Sequence, residues 1–312
     1  MSEYPYNNIL IIKHGSLGDI ISCTSIIKAI RDYYKSSNIA LLTSNNFKNF
    51  FKNSELIDQV ILDERKGIIN SIKILNKVNS MKFNLIIDLQ NSTRTFYYNF
   101  FWKLFSLSRI NSTHKFSDFK YTYNKKYPPS VIEGLSNQVK ILNIFPNQKP
   151  YLEWLKKDNV KIPELYKKDY FIINPGCSKK NQNKRWPLEK YAEICNYLIK
   201  KNIIPVLIGA EDDKLIIQKI MILAPNSINL VNKSPLFVVY NLSFKSLGAL
   251  SNDTGPAHLI AATNCKIHLV LSNKSNVKTV IPQSKNVTYS QSYNIADVST
   301  KEVKEKINFI IN

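Results

Sequence analysis

Three segments of this chain combine residue types that can hold an anion and move a proton. The first is Ile9-Leu10-Ile11-Ile12-Lys13-His14-Gly15-Ser16-Leu17-Gly18-Asp19, an apolar run that ends in a glycine-bearing turn and opens a helix. Gly15 and Gly18 permit a tight turn and close approach of a substrate. Asp19 can accept a proton from a substrate hydroxyl. An aspartate at a helix start is equally well satisfied as a cap on free backbone N–H groups, and both roles stay open. Lys13 and His14 can touch an anionic acceptor or simply end a strand. The spacing is not Gly-x-Gly-x-x-Gly, and the acidic residue opening the helix would repel a diphosphate placed there.

The second segment, Asn174-Pro175-Gly176-Cys177-Ser178-Lys179-Lys180-Asn181-Gln182-Asn183-Lys184-Arg185-Trp186-Pro187, leaves an apolar run through a basic loop. Ser178 offers a hydroxyl, Lys184 and Arg185 offer cationic donors suited to phosphate, and Trp186 reads as a packing anchor. A solvated loop is the plain alternative. The third, Leu250-Ser251-Asn252-Asp253-Thr254-Gly255-Pro256-Ala257-His258, places Pro256 where an early helical turn tolerates it. Gly255 lets a ligand press on the backbone, whose N–H groups form an anion site without a metal. Thr254 adds a hydroxyl. Asp253 can accept from a ligand or cap the helix, and His258 can bond phosphate or brace the loop. Donors gathered round a departing diphosphate stabilise its growing charge, while a carboxylate elsewhere takes the proton of an attacking hydroxyl.

These segments need a scaffold that ends strands beside loops. Short apolar runs predict strands over 8–12, 39–42, 59–62 and 85–89, and helical spacing predicts helices over 19–34, 67–79, 93–105 and 131–142. Residues 111–130 lose the rhythm, and Pro128-Pro129 opposes regular structure. The proline-bearing stretch 146–169 is the linker candidate, with the boundary near 160, giving domains 1–160 and 161–312. The second half predicts strands over 170–173, 204–208, 228–230, 249–251 and 266–271. Helices are predicted over 187–200, 212–223, 235–241, 255–263 and 303–311. This alternation implies an α/β fold, two similar domains with mostly parallel sheets facing across a cleft.

The chain has 312 residues, enough to bury its own cores, and carries 43 Lys+Arg against 23 Asp+Glu, a net charge of +20. The excess divides evenly between the halves, so it attracts anions across both domains and does not mark a basic tail. A nucleic-acid-binding module is an alternative, but no recognised nucleic-acid motif accompanies the charge. A non-catalytic sugar-binding protein is another. Four scattered cysteines and four histidines hold no zinc spacing, and a reducing cytoplasmic location is expected. No apolar stretch approaches the ~20 residues needed to span a bilayer. The start lacks a basic leader with a cleavage site.

Taken together, ILIIKHGSLGDIISCTSIIKAIRDYY, FIINPGCSKKNQNKRWPLEKYAEIC, VLIGAEDD and LSNDTGPAHLIAA resemble, in order and spacing, the bacterial ADP-heptose:lipopolysaccharide heptosyltransferases of glycosyltransferase family 9. The resemblance covers nearly the whole chain. It implies the GT-B architecture and a metal-independent, inverting transfer from a nucleotide-sugar, ADP-heptose or a related one, to an anionic glycolipid of lipopolysaccharide type. By the same resemblance Asp19 is the base; Lys13, His14, Gly15 and Gly18 are acceptor-side candidates by their place in the same segment. Ser178, Lys184, Asp253, Thr254, Gly255 and His258 fall in the donor site, and Glu211 lies near the donor ribose. The terminal helix is expected to pack back on the first domain. Where the family often continues with a Gly-Pro-Thr-like loop, this chain has Ser272-Asn273-Lys274-Ser275-Asn276, so donor contacts there are expected to differ. Finally, a helix cannot bury Phe96, Tyr97, Tyr98, Phe100, Phe101, Trp102 and Phe105 in one stripe. Beside the basic run 115–126, some of these rings can face an acidic membrane surface, the cytoplasmic face of the inner membrane.

Overall fold

The structure, a computed structural model, describes residues 6–157, 160, 162, 165, 167–177, 184–277, 281–282 and 284–312. The chain forms two compact units, Met1–Trp154 and Leu155–Asn312.

The first unit holds β1 (Asn8–Ile12), α1 (Leu17–Tyr33), β2 (Asn38–Thr43), β3 (Gln59–Leu62), α2 (Gly67–Ser80), β4 (Leu85–Asp88), α3 (Thr93–Phe105), β5 (Arg109–Ser112), β6 (Phe119–Lys120) and α4 (Val131–Lys140). Its sheet has the order β3-β2-β1-β4-β5-β6, and every pairing is parallel. Ile9 to Ile12 are wholly buried because helices cover both faces of this sheet, which is why β1 reads as an unbroken apolar run. Leu10, Ile12, Leu42 and Ile86 form one core layer with Tyr98 and Trp102 of α3.

The second unit holds β7 (Tyr170–Asn174), α5 (Leu188–Lys200), β8 (Ile204–Leu207), α6 (Lys214–Leu223), β9 (Ile228–Asn229), α7 (Leu236–Ser243), β10 (Ala249–Asn252), α8 (Gly255–Ala261), β11 (Ile267–Ser272), β12 (Val287–Ser292) and α9 (Thr300–Ile311). The order β12-β11-β10-β7-β8-β9 repeats that of the first sheet, again all parallel. In both units the first strand lies between the second and the fourth. The strand order reverses between β1 and β4 and between β7 and β10, the points where such sheets leave a crevice at their carboxyl edge.

Three features add to the sequence expectation. The boundary falls at Trp154 because Trp154 Nε1 donates to the Phe50 carbonyl (2.9 Å), within the first unit. Leu155 already accepts from Asn241 Nδ2 (2.7 Å), within the second. The terminal helix buries Val303, Ile307 and Ile310 in the core of the second unit, against α5 and β11. Residues 111–130 contribute the end of β5 and the whole of β6. Asn111 and Ser112 are wholly buried there, with Asn111 Nδ2 donating to the carbonyls of Phe119 (2.9 Å) and Gln138 (3.2 Å).

Candidate active site

At the carboxyl edge of β1 the chain turns sharply at Gly15, whose φ of 25° lies in the left-handed region that favours glycine. The backbone N–H groups of His14 and Gly15 both donate to Gln90 Oε1 (3.0 Å each), fastening the turn across the β1/β4 switch point. Lys13 is buried, and its Nζ donates to the Leu89 carbonyl (3.0 Å). His14 is also buried, with Nε2 3.2 Å from Asp63 Oδ2. Burial alone would raise the Asp63 carboxyl. Hydrogen bonds from His14, Arg94 and the Arg65 N–H hold it far below the usual range. Lys13 and His14 therefore brace the wall of this rim and do not project from it.

Asp19 is half-buried and forms a reciprocal cap with Ser16. Its Oδ2 accepts from the Ser16 N–H and hydroxyl (3.1 Å each), while its N–H donates to Ser16 Oγ (3.3 Å). Both bonds received by the carboxylate go to Oδ2. Gly18 is buried in the same first turn.

The second unit gathers a different set of groups at the β7/β10 switch point. Lys184 Nζ pairs with Asp253 Oδ2 at 2.7 Å, and Ser275 Oγ, from the loop after β11, reaches the same oxygen at 3.5 Å. Asn174 Nδ2 donates to Ser251 Oγ (2.9 Å) and Thr254 Oγ1 (2.8 Å). Thr254 Oγ1 also lies 3.3 Å from Ser251 Oγ, whose own proton goes to the Asn252 carbonyl (2.8 Å), so the Thr254 hydroxyl donates to Ser251 unless it turns to a bound anion. Thr254 is extended (φ −146°), and Gly255 begins α8 with Pro256 in the first turn. His258 is half-buried on the same helix. Ser178 lies outside the described residues. Glu211 is exposed, bonded by Asn232 Nδ2 and paired with Lys214 at 3.4 Å. The amide bond and the lysine charge lower its carboxyl.

Sequence reasoning missed the groups that hold this rim together. Asn252, wholly buried, accepts from the Trp186 N–H (3.3 Å) and the Tyr191 hydroxyl (2.8 Å) and donates to the carbonyls of Pro175 and Gly176 (3.2 Å each). Asp213 takes the Cys177 N–H (3.3 Å) and Arg185 Nη2 (3.0 Å) on one oxygen and the Ala210 N–H (3.2 Å) on the other. Arg185 Nη2 also reaches the Cys177 carbonyl (3.3 Å). Cys177 and Arg185 flank the basic loop, so one carboxylate ties its two ends together and joins them to the turn that carries Glu211. A side chain at Gly176 would come within 2.8 Å of Asp213 Oδ2, and one at Gly209 within 2.9 Å of its Cβ. The two glycines are the sequence signal of that close approach. Among the described residues no three His, Cys, Asp or Glu side chains are grouped to hold a metal ion.

With both rims described, the chain can be compared with known proteins. The model of glycosyltransferase family 9 (heptosyltransferase) matches residues 72–308. The chain belongs to glycosyltransferase family 9. Lipopolysaccharide heptosyltransferase 1 of Campylobacter coli is 24% identical over 345 residues, covering 96% of each chain. A family 9 glycosyl transferase of Veillonella parvula superposes with a TM-score of 0.80 at 19% identity, over 99% of this chain and 98% of that one. The E. coli heptosyltransferase WaaC, solved with ADP, gives 0.77 at 15% identity, over 97% of this chain and 99% of that one. The fold is GT-B, and by family the chain is a glycosyltransferase.

Proposed function

We propose that this family 9 enzyme transfers a heptose or related sugar from an ADP-linked donor to a lipopolysaccharide core or similar anionic glycolipid. The transfer inverts configuration and uses no metal. The donor belongs to the second unit and the acceptor to the first. The observation that carries this reading is the Lys184–Asp253 pair beside Asn174 and Thr254 at the β7/β10 switch point. A diphosphate arriving there takes the ammonium group, the Thr254 hydroxyl and the Gly255 N–H, with His258 and Ser178 as further donors and Glu211 on the ribose.

In the reaction an acceptor hydroxyl forms a C–O bond to the sugar carbon as that carbon's bond to the diphosphate breaks. The hydroxyl proton passes to Asp19, whose Oδ1 is left for the substrate because Ser16 uses Oδ2. The negative charge goes to the diphosphate, where the cation and polarised N–H groups stabilise it more in the transition state than in the ground state. The resemblance to heptosyltransferases along the whole chain supports the sugar and the acceptor, and the WaaC–ADP structure supports the nucleotide.

A panel of nucleotide sugars incubated with membrane-extracted glycolipids, with products resolved by mass, tests the proposal. The expected result is a heptose-sized gain on the acceptor with release of ADP. Saturable donor binding without transfer to any acceptor would overturn it in favour of a sugar-binding protein.

A further inference from the structure

Helix α3 is apolar on both sides. Tyr98 and Trp102 face the core, yet Tyr97, Phe100 and Leu104, spaced three and four apart, form a second stripe that faces away from it. Tyr97 is 63% exposed, Leu104 62% and Phe105 63%, and Leu107 just beyond the helix is fully exposed. A helix that is hydrophobic all round is normally buried on all sides. The neighbouring helix shows the same pattern. Ile68 and Ile69, in the first turn of α2, are 78% and 72% exposed, and Ile72 one turn later is also exposed. The two helices are joined where Trp102 Nε1 donates to the Leu75 carbonyl (3.2 Å) and Arg94 Nη2 to Ser71 Oγ (3.0 Å). Their outer faces therefore make one apolar surface, larger in kind than the scattered exposed residues of an ordinary surface.

The charge carried by the two helices themselves has one sign. Neither α2 nor α3 contains an Asp or Glu, whereas they carry Lys73, Lys77, Arg94 and Lys103. Beyond α3, the Phe116 ring packs on Phe96 (5.2 Å between centroids) and Phe100 (5.6 Å), which brings exposed Lys115 and the basic run after it alongside. Two carboxylates from outside the helices pair with their cations, Asp63 with Arg94 (3.1 Å) and Asp118 with Lys103 (2.6 Å) as well as with Arg109 of β5 (2.8 Å), so Lys73 and Lys77 are the cations of the two helices outside these pairs. Exposed Glu64, on the approach to α2, is the remaining acid nearby, bonded by Asn70 at 3.4 Å. Arg94, in the first turn of α3, binds Asp63, the partner of His14. The apolar surface thus starts at the rim that carries Asp19 and runs down both helices for about 20 Å.

We propose that the outer faces of α2 and α3 dock the first unit on an anionic phospholipid bilayer. Isoleucine, leucine and aromatic side chains enter the headgroup boundary, and the lysines pair with lipid phosphates. Among the described residues no helix is long and apolar enough to cross a membrane, so this contact lies on the surface of the bilayer. The inference deepens the functional reading above and rests on it for the presence of a lipid-borne acceptor beside this rim.

The test uses the full chain without donor or acceptor, mixed with vesicles of equal parts phosphatidylglycerol and phosphatidylcholine or of phosphatidylcholine alone. The native chain is expected to sediment with the anionic vesicles about tenfold or more tightly than with the neutral ones, and to be released by salt. A variant carrying Ile68→Ser, Ile69→Ser, Leu104→Ser and Phe105→Ser is expected to lose about tenfold or more in partitioning, with its melting temperature and ADP affinity kept. Lys73→Gln with Lys77→Gln should lose a smaller part and blunt the salt response. Native protein that ignores anionic vesicles, or a four-serine variant that binds them equally well, overturns the proposal. So does a concentration-dependent dimer that the four-serine variant abolishes, because the face then covers a second copy of the chain. Vesicle binding without sugar transfer in the donor screen would sink the functional reading and leave this one standing.

Discussion

The two units are built on one strand order and, in the proposed reaction, use it for opposite chemistry. At the β1/β4 switch point the cationic groups turn inward, Lys13 to the Leu89 carbonyl and His14 to Asp63, and the half-buried charge left at the rim is the Asp19 carboxylate. At the β7/β10 switch point the carboxylates are the ones held down. Asp213 is spent on Cys177, Ala210 and Arg185, and Asp253 holds Lys184. What reaches the rim there is donors: an ammonium group, a hydroxyl and the start of a helix. The topology supplies the crevice, and the pairing of charges inside the wall decides whether it offers a base or an anion site.

The strongest way to break this contrast is to remove the proposed base. Asp19→Asn keeps the shape and a partial cap but cannot take a proton. Turnover should fall about 10²- to 10⁴-fold while ADP affinity stays within about twofold. Turnover near that of the native chain would show that Asp19 only caps α1.

A smaller effect is expected from loosening the donor rim. In Asp213→Asn an N–H₂ or a neutral oxygen meets the Arg185 guanidinium and two backbone N–H groups, so the two ends of the basic loop lose their common acceptor. ADP binding by calorimetry should weaken about tenfold, the worth of one charge-assisted bond, with kcat at saturating donor within about twofold. A lowered melting temperature with unchanged ADP affinity would make the carboxylate a purely structural tie.

Much of this was legible before the structure. Strands such as 8–12 and 59–62 and the helix over 93–105 coincide with β1, β3 and α3, because strands of a parallel sheet covered by helices read as short apolar runs and long helices keep their period. The loops that follow β1, β7 and β10 were legible too, since glycine, proline and acid at a strand end are local signals. What escaped was set by tertiary partners. β12 is an edge strand of sequence VTYSQS, half-covered and paired only with β11, so it lacks an apolar run. Asn111 and Asn252 read as loop residues and lie buried, because partners distant in sequence satisfy their amides. The inward turn of Lys13 and His14 depends on Leu89 and Asp63, some 76 and 49 positions away in a chain whose local pattern is silent about them.

The last contrast concerns buried histidines. His14 has a carboxylate at its Nε2, whereas His268, wholly buried on β11, meets the hydroxyls of Thr288 (2.8 Å) and Ser290 (3.1 Å). The Ser290 hydroxyl donates to the Glu302 carboxylate, and Lys306 adds an opposing positive charge. Burial, and after it the Lys306 charge, pushes the His268 imidazolium down to about 4 from a usual 6.5. The folded state therefore favours the neutral ring. Its contribution is fully present above pH 6.5 and is lost as the pH falls toward 4, because the unfolded chain binds the proton first. Between pH 7.5 and pH 5 the second unit should lose about 2 kcal/mol from this group, before most carboxylates titrate. At neutral pH turnover should not change, so this is the smallest effect on activity. Urea midpoints at the two pH values should converge in His268→Gln, whose amide keeps hydrogen bonds to the hydroxyls and does not titrate. An equal pH slope in the native chain and the variant would place the acid sensitivity elsewhere.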